Sequence, residues 1–406
     1  MHAGVAMFAQ NYTDWDRYRS RDWDSNPLIS DTQIYDDVVA IGSLVEPLGF
    51  DSMWTVEHHF TPYTMNTNTL QFLTFFAGQT KRIDFGTMVV VLPWHDPVRV
   101  AEDASVLSHF LQGRKLTLGF GRGAAKVEYD GFRVDMNSSR ERFLEALEVV
   151  RKALSSKHFS HEGKYFQIPD LSIRPQPRAD LLDDMHMAWG SPSSVAVAAD
   201  NGLKPLVIPQ KQWETHVAEM REYNEIVVSR GLDPQQPAVL LAVYVDEDPA
   251  KAEEMGHKYV WEYADSVRYH YRVDDPTHLA GVVGYDYYNE TAKKFAEAHK
   301  GDVDRRAAML EAAKTTDLTK LPTENLLGVF IDSHVWGTPE QVISQLKERL
   351  NGVGADRFVG VFQFGSMSRA EAESSIRLFA KSVLPALHAM PLPAPLVSAP
   401  GLSAAR

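Results

Sequence analysis

The chain contains no cysteine. Disulfides, thiolate metal sites and cysteine nucleophiles are therefore excluded, and the lack fits the cytoplasm. No apolar run approaches the length that spans a bilayer. No basic segment precedes the first apolar stretch: Met1-His2-Ala3-Gly4-Val5-Ala6-Met7-Phe8 reads as a first strand, not a signal peptide. Positive charge is scarce too. There are 41 Lys and Arg against 54 Asp and Glu, a net charge of −13, with no dense basic cluster. That argues against nucleic acid and anionic membrane surfaces as partners. An anionic cofactor stays compatible, because it needs only local donors.

What is present is the make-up of a globular protein: 406 residues, 44% hydrophobic and 23% charged. That length holds one large α/β domain or two ordinary ones. Strand and helix patterns alternate along it. The strand candidates are Ala3–Ala9, Phe50–Glu57, Ile83–Leu92, Leu116–Phe120, Met185–Trp189, Lys204–Ile208, Ala238–Val245 and Phe358–Phe364. Between them lie helical patterns, such as Asp31–Leu48 with Ile34, Val38, Ile41 and Val45 on one face. Others are Asn68–Gln79, Ser139–Leu154, Gln212–Ser229 and Ala370–Leu387. Asp96-Pro97 and Ser191-Pro192 read as helix starts, and Thr338-Pro339-Glu340-Gln341 as a capping box. Eight strand–helix units in order predict an α/β fold of the (β/α)8 TIM-barrel type, a single domain over residues 1–390. A doubly wound open sheet is the alternative. The tail from Pro391 to Arg406, rich in Pro, Ala and Ser, is expected to be disordered.

Two insertions interrupt the pattern. Asn11–Ser30 follows strand one and carries Tyr12, Trp15, Tyr18 and Trp23. Asp246–Gly337 follows strand seven and holds helical stretches at Ala250–Tyr263 and Thr291–Leu310. Both follow strands, so both lie on the C-terminal face, where barrel enzymes keep their sites. The bland reading is decoration or a dimer contact. The functional reading is an aromatic wall from the first and a lid from the second, over about 247–337.

The stretch with most chemistry is Trp54-Thr55-Val56-Glu57-His58-His59-Phe60. Side chains alternate along a strand, so His58 and His59 point opposite ways. A metal site wants ligands converging from one face, which adjacent strand residues do not provide. One imidazole handling protons at a strand end, the other held structurally, fits better, and no metal is expected. His95 reads as the neighbour of a helix cap, with a site residue as the alternative. His158, His161, His257 and His270 show no metal spacing and read as surface or packing residues. Gly119-Phe120-Gly121-Arg122-Gly123 is weak as a phosphate loop, yet Arg122 at a strand end suits an anion. Gly190-Ser191-Pro192-Ser193-Ser194 opens a helix and offers free N–H groups and hydroxyls to an anion. An ordinary N-cap at Ser191 and a surface arginine at 122 are the plainer alternatives.

These motifs together resemble the bacterial luciferase-like flavin monooxygenases. The resemblance rests on Phe50-Asp51, Trp54 and Glu57-His58-His59-Phe60, then Gly86-Thr87 with Leu92-Pro93 and Pro97-Val98-Arg99. It continues through Gly113-Arg114, Gly119, Arg122-Gly123, Asp135-Met136-Asn137, Ser139-Arg140 and Gly337-Thr338-Pro339-Glu340-Gln341. The long insertion, with Gly284-Tyr285-Asp286-Tyr287, Gly301-Asp302 and Arg305-Arg306, is similar to the mobile lid loop of the luciferase alpha subunit.

The resemblance implies a barrel that takes FMN, as FMNH2 from a separate NAD(P)H:flavin reductase, and activates O2 as a C4a-hydroperoxyflavin. The product is an oxygenated small apolar or aromatic substrate, formed by aldehyde or ketone oxidation, Baeyer–Villiger insertion or hydroxylation. His58 matches the catalytic histidine, with Glu57 anchoring its loop. Arg122, Gly190, Ser191 and Ser194 match positions around the phosphate. The Met88–Val89 peptide matches the bulge, often cis, that supports the isoalloxazine ring. A homodimer is implied as well. An F420-dependent oxidoreductase, a non-catalytic flavin-binding partner subunit and a metal-dependent barrel hydrolase are the rival readings. Three departures set the substrate apart from luciferase's. Gly190 replaces a glutamate. Gly121 replaces a reactive cysteine, which implies more room beside the flavin. Asn11–Ser30 has no counterpart.

Overall fold

The computed structural model describes residues 1–273, 275, 277–298 and 326–397. Eight parallel strands close into a barrel. They are β1 (His2–Met7), β2 (Ser52–Thr55), β3 (Asp84–Thr87) continued by the short β4 (Val90–Val91), β5 (Leu116–Gly121), β8 (Met185–Ala188), β9 (Lys204–Val207), β10 (Ala238–Val245) and β12 (Arg357–Val361). The order runs β12-β1-β2-β3-β5-β8-β9, and β10 pairs with both β9 and β12 to close the ring. The open-sheet alternative is thereby excluded. β6 (Phe159–Glu162) and β7 (Gln167–Leu171) form an antiparallel hairpin on the outside, and β11 (Val335–Gly337) adds to β10.

Apolar runs place the barrel strands because both faces of each strand are covered, one by helices and one by the barrel interior. Ala238–Val245 is buried at every position. Trp54 shows how the interior is filled. It is 1% exposed, and a Cβ at Gly86 on the neighbouring strand would lie 2.3 Å from its ring. A Cβ at Gly4 on the other side would lie 2.8 Å from its Nε1. The indole fits only because both neighbours lack a side chain.

The third strand differs from its expected form. Ile83–Leu92 reads as one run, but the ladder breaks at a cis Met88–Val89 peptide, where the resemblance implied a bulge, often cis. The capping box at Thr338 is present, with Gln341 Oε1 accepting the Thr338 N–H at 2.8 Å. The tail departs from expectation over residues 391–397. Pro393 and Leu396 carbonyls accept hydrogen bonds from Gln236 and Asn224 at 2.8 Å each, and these bonds hold that stretch against the body. Residues 398–406 lie outside the described residues.

The N-terminal end of the barrel carries a charged knot. Asp184, just before β8, accepts from His186 Nε2 at 2.9 Å and Lys204 Nζ at 2.9 Å. It also accepts from Thr117 Oγ1 at 2.6 Å and Arg357 Nη1 at 3.2 Å. Burial alone would raise its pKa. His186, Arg357 and Thr117 outweigh burial and hold it well below the usual carboxylate range. A carboxylate depressed on folding stabilises above its unfolded pKa of about 3.9, and the gain is lost as pH falls below that value. Asp184→Asn is therefore expected to cost about 2 kcal/mol or more at pH 7. The gap in Tm between wild type and variant should hold from pH 6 to about pH 5 and narrow as pH falls below about 4. A gap independent of pH refutes this account.

Candidate active site

β2 ends at Thr55, so Glu57, His58 and His59 sit in the loop beyond it. The two imidazoles nevertheless diverge. His59 packs edge-on against Trp94 and Phe132, while His58 lies among Tyr63, His270 and Tyr271. Glu57 is 2% exposed. Its Oε1 accepts from His59 Nε2 at 3.0 Å and His95 Nε2 at 2.6 Å, and its Oε2 from the Val91 N–H at 2.9 Å. Burial disfavours its charge, yet His95, His59 and that N–H prevail and keep it ionised. Glu57 thus ties the end of β2 to β4, directly after the cis peptide. His95 is a partner in this network, where the sequence favoured a cap neighbour over a site residue.

His58 Nδ1 lies 3.1 Å from Glu128 Oε1, and its Nε2 lies 3.4 Å from the Tyr271 hydroxyl. Glu128 comes from the helix Lys126–Phe132 and also accepts the His59 N–H at 2.7 Å. His270 Nε2 lies 3.4 Å from the same oxygen. Burial would raise the Glu128 pKa, but His58 and His270 pull it down to about 2. An ionised Glu128 fixes the proton of His58 on Nδ1 and leaves Nε2 free to accept one. His270 is fully buried at this centre, with Nδ1 2.8 Å from Thr61 Oγ1; it is more than the packing residue the sequence suggested. Ligand atoms of His58, Glu128 and His270 lie within 4.8 Å of one another. The alternation argument against a metal covered His58 with His59, not this set. Hydrogen bonds already account for the shared Glu128 oxygen.

Across the barrel mouth the site changes character. Arg122, at the end of β5, is 8% exposed. Its Nη2 donates to the Gly284 carbonyl at 3.0 Å, its guanidinium lies 4.1 Å from the Tyr285 ring centre, and its Nη1 is buried without a partner. Arg140, on the helix Ser139–Ser155, donates to the hydroxyls of Ser193 and Ser194 at 3.1 and 3.3 Å. Ser191 Oγ lies 2.9 Å from Ser194 Oγ instead of capping the helix Ser193–Asp200. Burial lowers the pKa of Arg140, and the charge of Arg122 lowers it further. Among the described residues, no carboxylate pairs with either arginine. Two guanidiniums, three hydroxyls and a helix N-terminus, with a buried donor left over, form a site for an anion with several acceptor oxygens.

One cavity of about 760 Å³ joins these two ends. Glu57, His58, Met88, Val89, Arg122, Gly190 and Ser194 all line it, and Ser191 stands one layer behind Ser194. Met187, Ala188, Trp189 and Ile208 supply apolar surface between. An elongated planar group with one phosphate end fits this set of donors and this lining. The room expected at Gly121 is absent. A Cβ there would lie 2.4 Å from Val89, whose side chain fills the space. Gly190 is similar, since a Cβ would lie 2.0 Å from the Tyr288 hydroxyl. A second cavity of about 880 Å³ lies beyond Tyr271 and Tyr288.

The insertion after β10 supplies much of this. Its helix runs Pro249–Tyr271, longer than the expected Ala250–Tyr263, and delivers His270 and Tyr271 to His58. A second helix, Asp286–Ala298, carries Tyr287 and Tyr288; Gly301, Asp302, Arg305 and Arg306 lie outside the described residues. The first insertion does not wall either cavity. Trp15 Nε1 donates to Ser266 Oγ at 2.8 Å, and Arg19 stacks on Tyr269 at 4.2 Å, so the segment braces the outer side of the long helix. Glu128, Arg140, His270, Tyr271 and Tyr288 had no assigned role in the sequence. Only Arg140 had a visible signal, in the Ser139-Arg140 motif.

A closed β/α barrel with this mouth is a flavin-dependent oxidoreductase. The chain belongs to the luciferase-like monooxygenase family, whose model matches residues 19–357. It is 24% identical over 367 residues to the alkanal monooxygenase alpha chain of the Kryptophanaron alfredi symbiont, spanning 89% of this chain and 95% of the relative. Among solved structures it is similar to the monooxygenase RslO1 from Streptomyces bottropensis, with a TM-score of 0.68 and 22% identity over 96% of this chain and 100% of that one. It is similar also to the oxygenating constituent of 3,6-diketocamphane monooxygenase from Pseudomonas putida in complex with FMN. There the TM-score is 0.62 and identity 19%, over 95% and 98% of the two chains. Among the described residues, no helix is long and apolar enough to cross a membrane.

Proposed function

We propose that this protein is an FMNH2-dependent monooxygenase that oxygenates a small apolar or aromatic organic molecule and draws its reduced flavin from a separate NAD(P)H:flavin reductase. The observation that carries the reading is Arg122, which faces one cavity with His58, together with Arg140, which bonds Ser194 in the wall of that cavity: two cations with no carboxylate partner among the described residues. A terminal phosphate dianion matches two guanidiniums. Gly284 and Tyr285 close over Arg122, which suits FMN, whose chain ends at its phosphate, better than F420 with its longer anionic tail. The relative from Pseudomonas putida supports both the cofactor and the division of labour, being an oxygenating constituent bound to FMN.

Bound reduced FMN supplies the two electrons that, with O2, deliver one oxygen atom to the substrate and one to water. The chain's residues hold and shield that chemistry. Arg122, Arg140, Ser191 and Ser194 bind the phosphate, with the Gly190 backbone beside them. Met88 and Val89 support the ring. Glu57 fixes the backbone that follows them through Val91. His58 moves a proton at Nε2, and Glu128 holds its tautomer from Nδ1. The insertion excludes water. A supply of reduced nicotinamide places the enzyme in the cytoplasm. Its homodimeric state is read by sedimentation.

Anaerobic fluorescence titration with FMNH2 and with reduced F420 tests the reading. FMNH2 is expected to bind and F420 to fail; F420 binding alone overturns it.

A further inference from the structure

We propose that the second cavity is the substrate chamber and that it takes an uncharged aromatic molecule bearing a hydroxyl group. This deepens the monooxygenase reading and rests on it.

The chamber adjoins the first cavity along Ala124, Gly190, Gln210, Tyr271 and Tyr288, which line both. A molecule in it therefore sits beside the flavin-sized cavity, across that shared wall. Tyr271 also reaches the His58 Nε2 at 3.4 Å, so the shared wall touches the proton-handling histidine.

The lining decides the class of ligand. Tyr271, Tyr287, Tyr288 and Phe330 present rings, and Leu279 and Val267 fill between them. Such a surface favours flat apolar groups, through burial and ring packing. The charges in the wall are already matched. Lys211 pairs with Glu219, both buried, and Arg272 pairs with Asp275. His278 is neutral at pH 7, because burial pushes its pKa down to about 4. A charged ligand would lose its water here and find no free counter-charge.

Two residues of the wall, Asn289 and His278, each keep a buried polar atom with no partner among the described residues. Asn289 is 8% exposed and donates its Nδ2 to the Leu279 carbonyl at 2.5 Å. That bond fixes the amide orientation and leaves Oδ1 buried and unpaired. His278 Nε2 is buried and unpaired too. Buried polar atoms in native proteins are nearly always satisfied, so an acceptor held open in an aromatic chamber points to a donor on the ligand. A phenolic O–H supplies one and carries no charge at neutral pH.

Equilibrium dialysis of the FMN-loaded protein with three probes tests this: 2-naphthol, naphthalene and 2-naphthoate. Naphthol should bind about tenfold tighter than naphthalene, the worth of one buried hydrogen bond, and tighter still than naphthoate. Asn289→Leu should bring naphthol to the level of naphthalene. Ala292→Trp, which fills the chamber from the helix Asp286–Ala298, should weaken both at least about tenfold with FMN still bound. Val267→Trp fills the chamber from the other helix and serves if the first variant does not fold. Equal binding of naphthol and naphthoate overturns the proposal, as does naphthol binding indifferent to both tryptophans. A protein that holds FMN but no naphthol loses the chamber and keeps the monooxygenase reading. One that holds naphthol in a tryptophan-sensitive way but no FMN keeps the chamber and loses that reading.

Discussion

His58→Ala is expected to bind FMN as the wild type does and to turn over about 10²-fold more slowly, or worse, the scale of lost acid–base catalysis. The expectation follows from placement. Among the described residues His58 is the one histidine lining the cavity, and its two nitrogens have different tasks. Nδ1 is held by Glu128 at 3.1 Å, and Nε2 looks toward Tyr271 at 3.4 Å. Glu128→Gln should lower kcat less, because the amide still accepts at Nδ1. Dialysis against a chelator separates proton transfer from a metal held by His58, Glu128 and His270, and activity is expected to survive it. Unchanged turnover in His58→Ala removes the residue from the mechanism.

The second large effect belongs to the arginines. Arg122→Ala and Arg140→Ala should each weaken FMN about tenfold or more, and the double variant about 10²- to 10³-fold, from lost charge-assisted hydrogen bonds. Riboflavin lacks the phosphate and provides the control: its affinity should move little in any of the three. Arg122 also packs on Tyr285 and bonds Gly284, so Arg140→Ala is the cleaner single change. If riboflavin weakens in parallel with FMN, the arginines hold the insertion in place and not a phosphate.

Much of the barrel was legible because its signals are local. β10 spans Ala238–Val245, as its unbroken apolar run predicts; His58 and His59 diverge as expected, but they lie past the strand end, where their bonds to Glu128 and Glu57 set the split and not strand alternation. The break at Met88–Val89 left no mark in the β-branched run itself, which read as one strand; only the resemblance implied the cis bulge there. The partners of His58 were hidden for a different reason. Glu128 is 70 residues away and Tyr271 is 213, and each sits in a helix whose pattern reports only its own packing. His270 and His95 looked ordinary for the same reason. Their meaning lies in what the closed barrel brings beside them. The aromatic segment Tyr12 to Trp23 was placed on the right face, but its partners on the long helix direct it outward, away from the cavities.

Gly190 carries a consequence for how the site can change. The space its missing side chain would take is filled by the hydroxyl end of Tyr288, which arrives from another part of the chain nearly a hundred positions later. A side chain at position 190 and the Tyr288 hydroxyl therefore compete for one space. A relative with a glutamate where Gly190 stands must withdraw whatever residue its insertion places there. Grafting an insertion between such proteins should succeed only when position 190 travels with it.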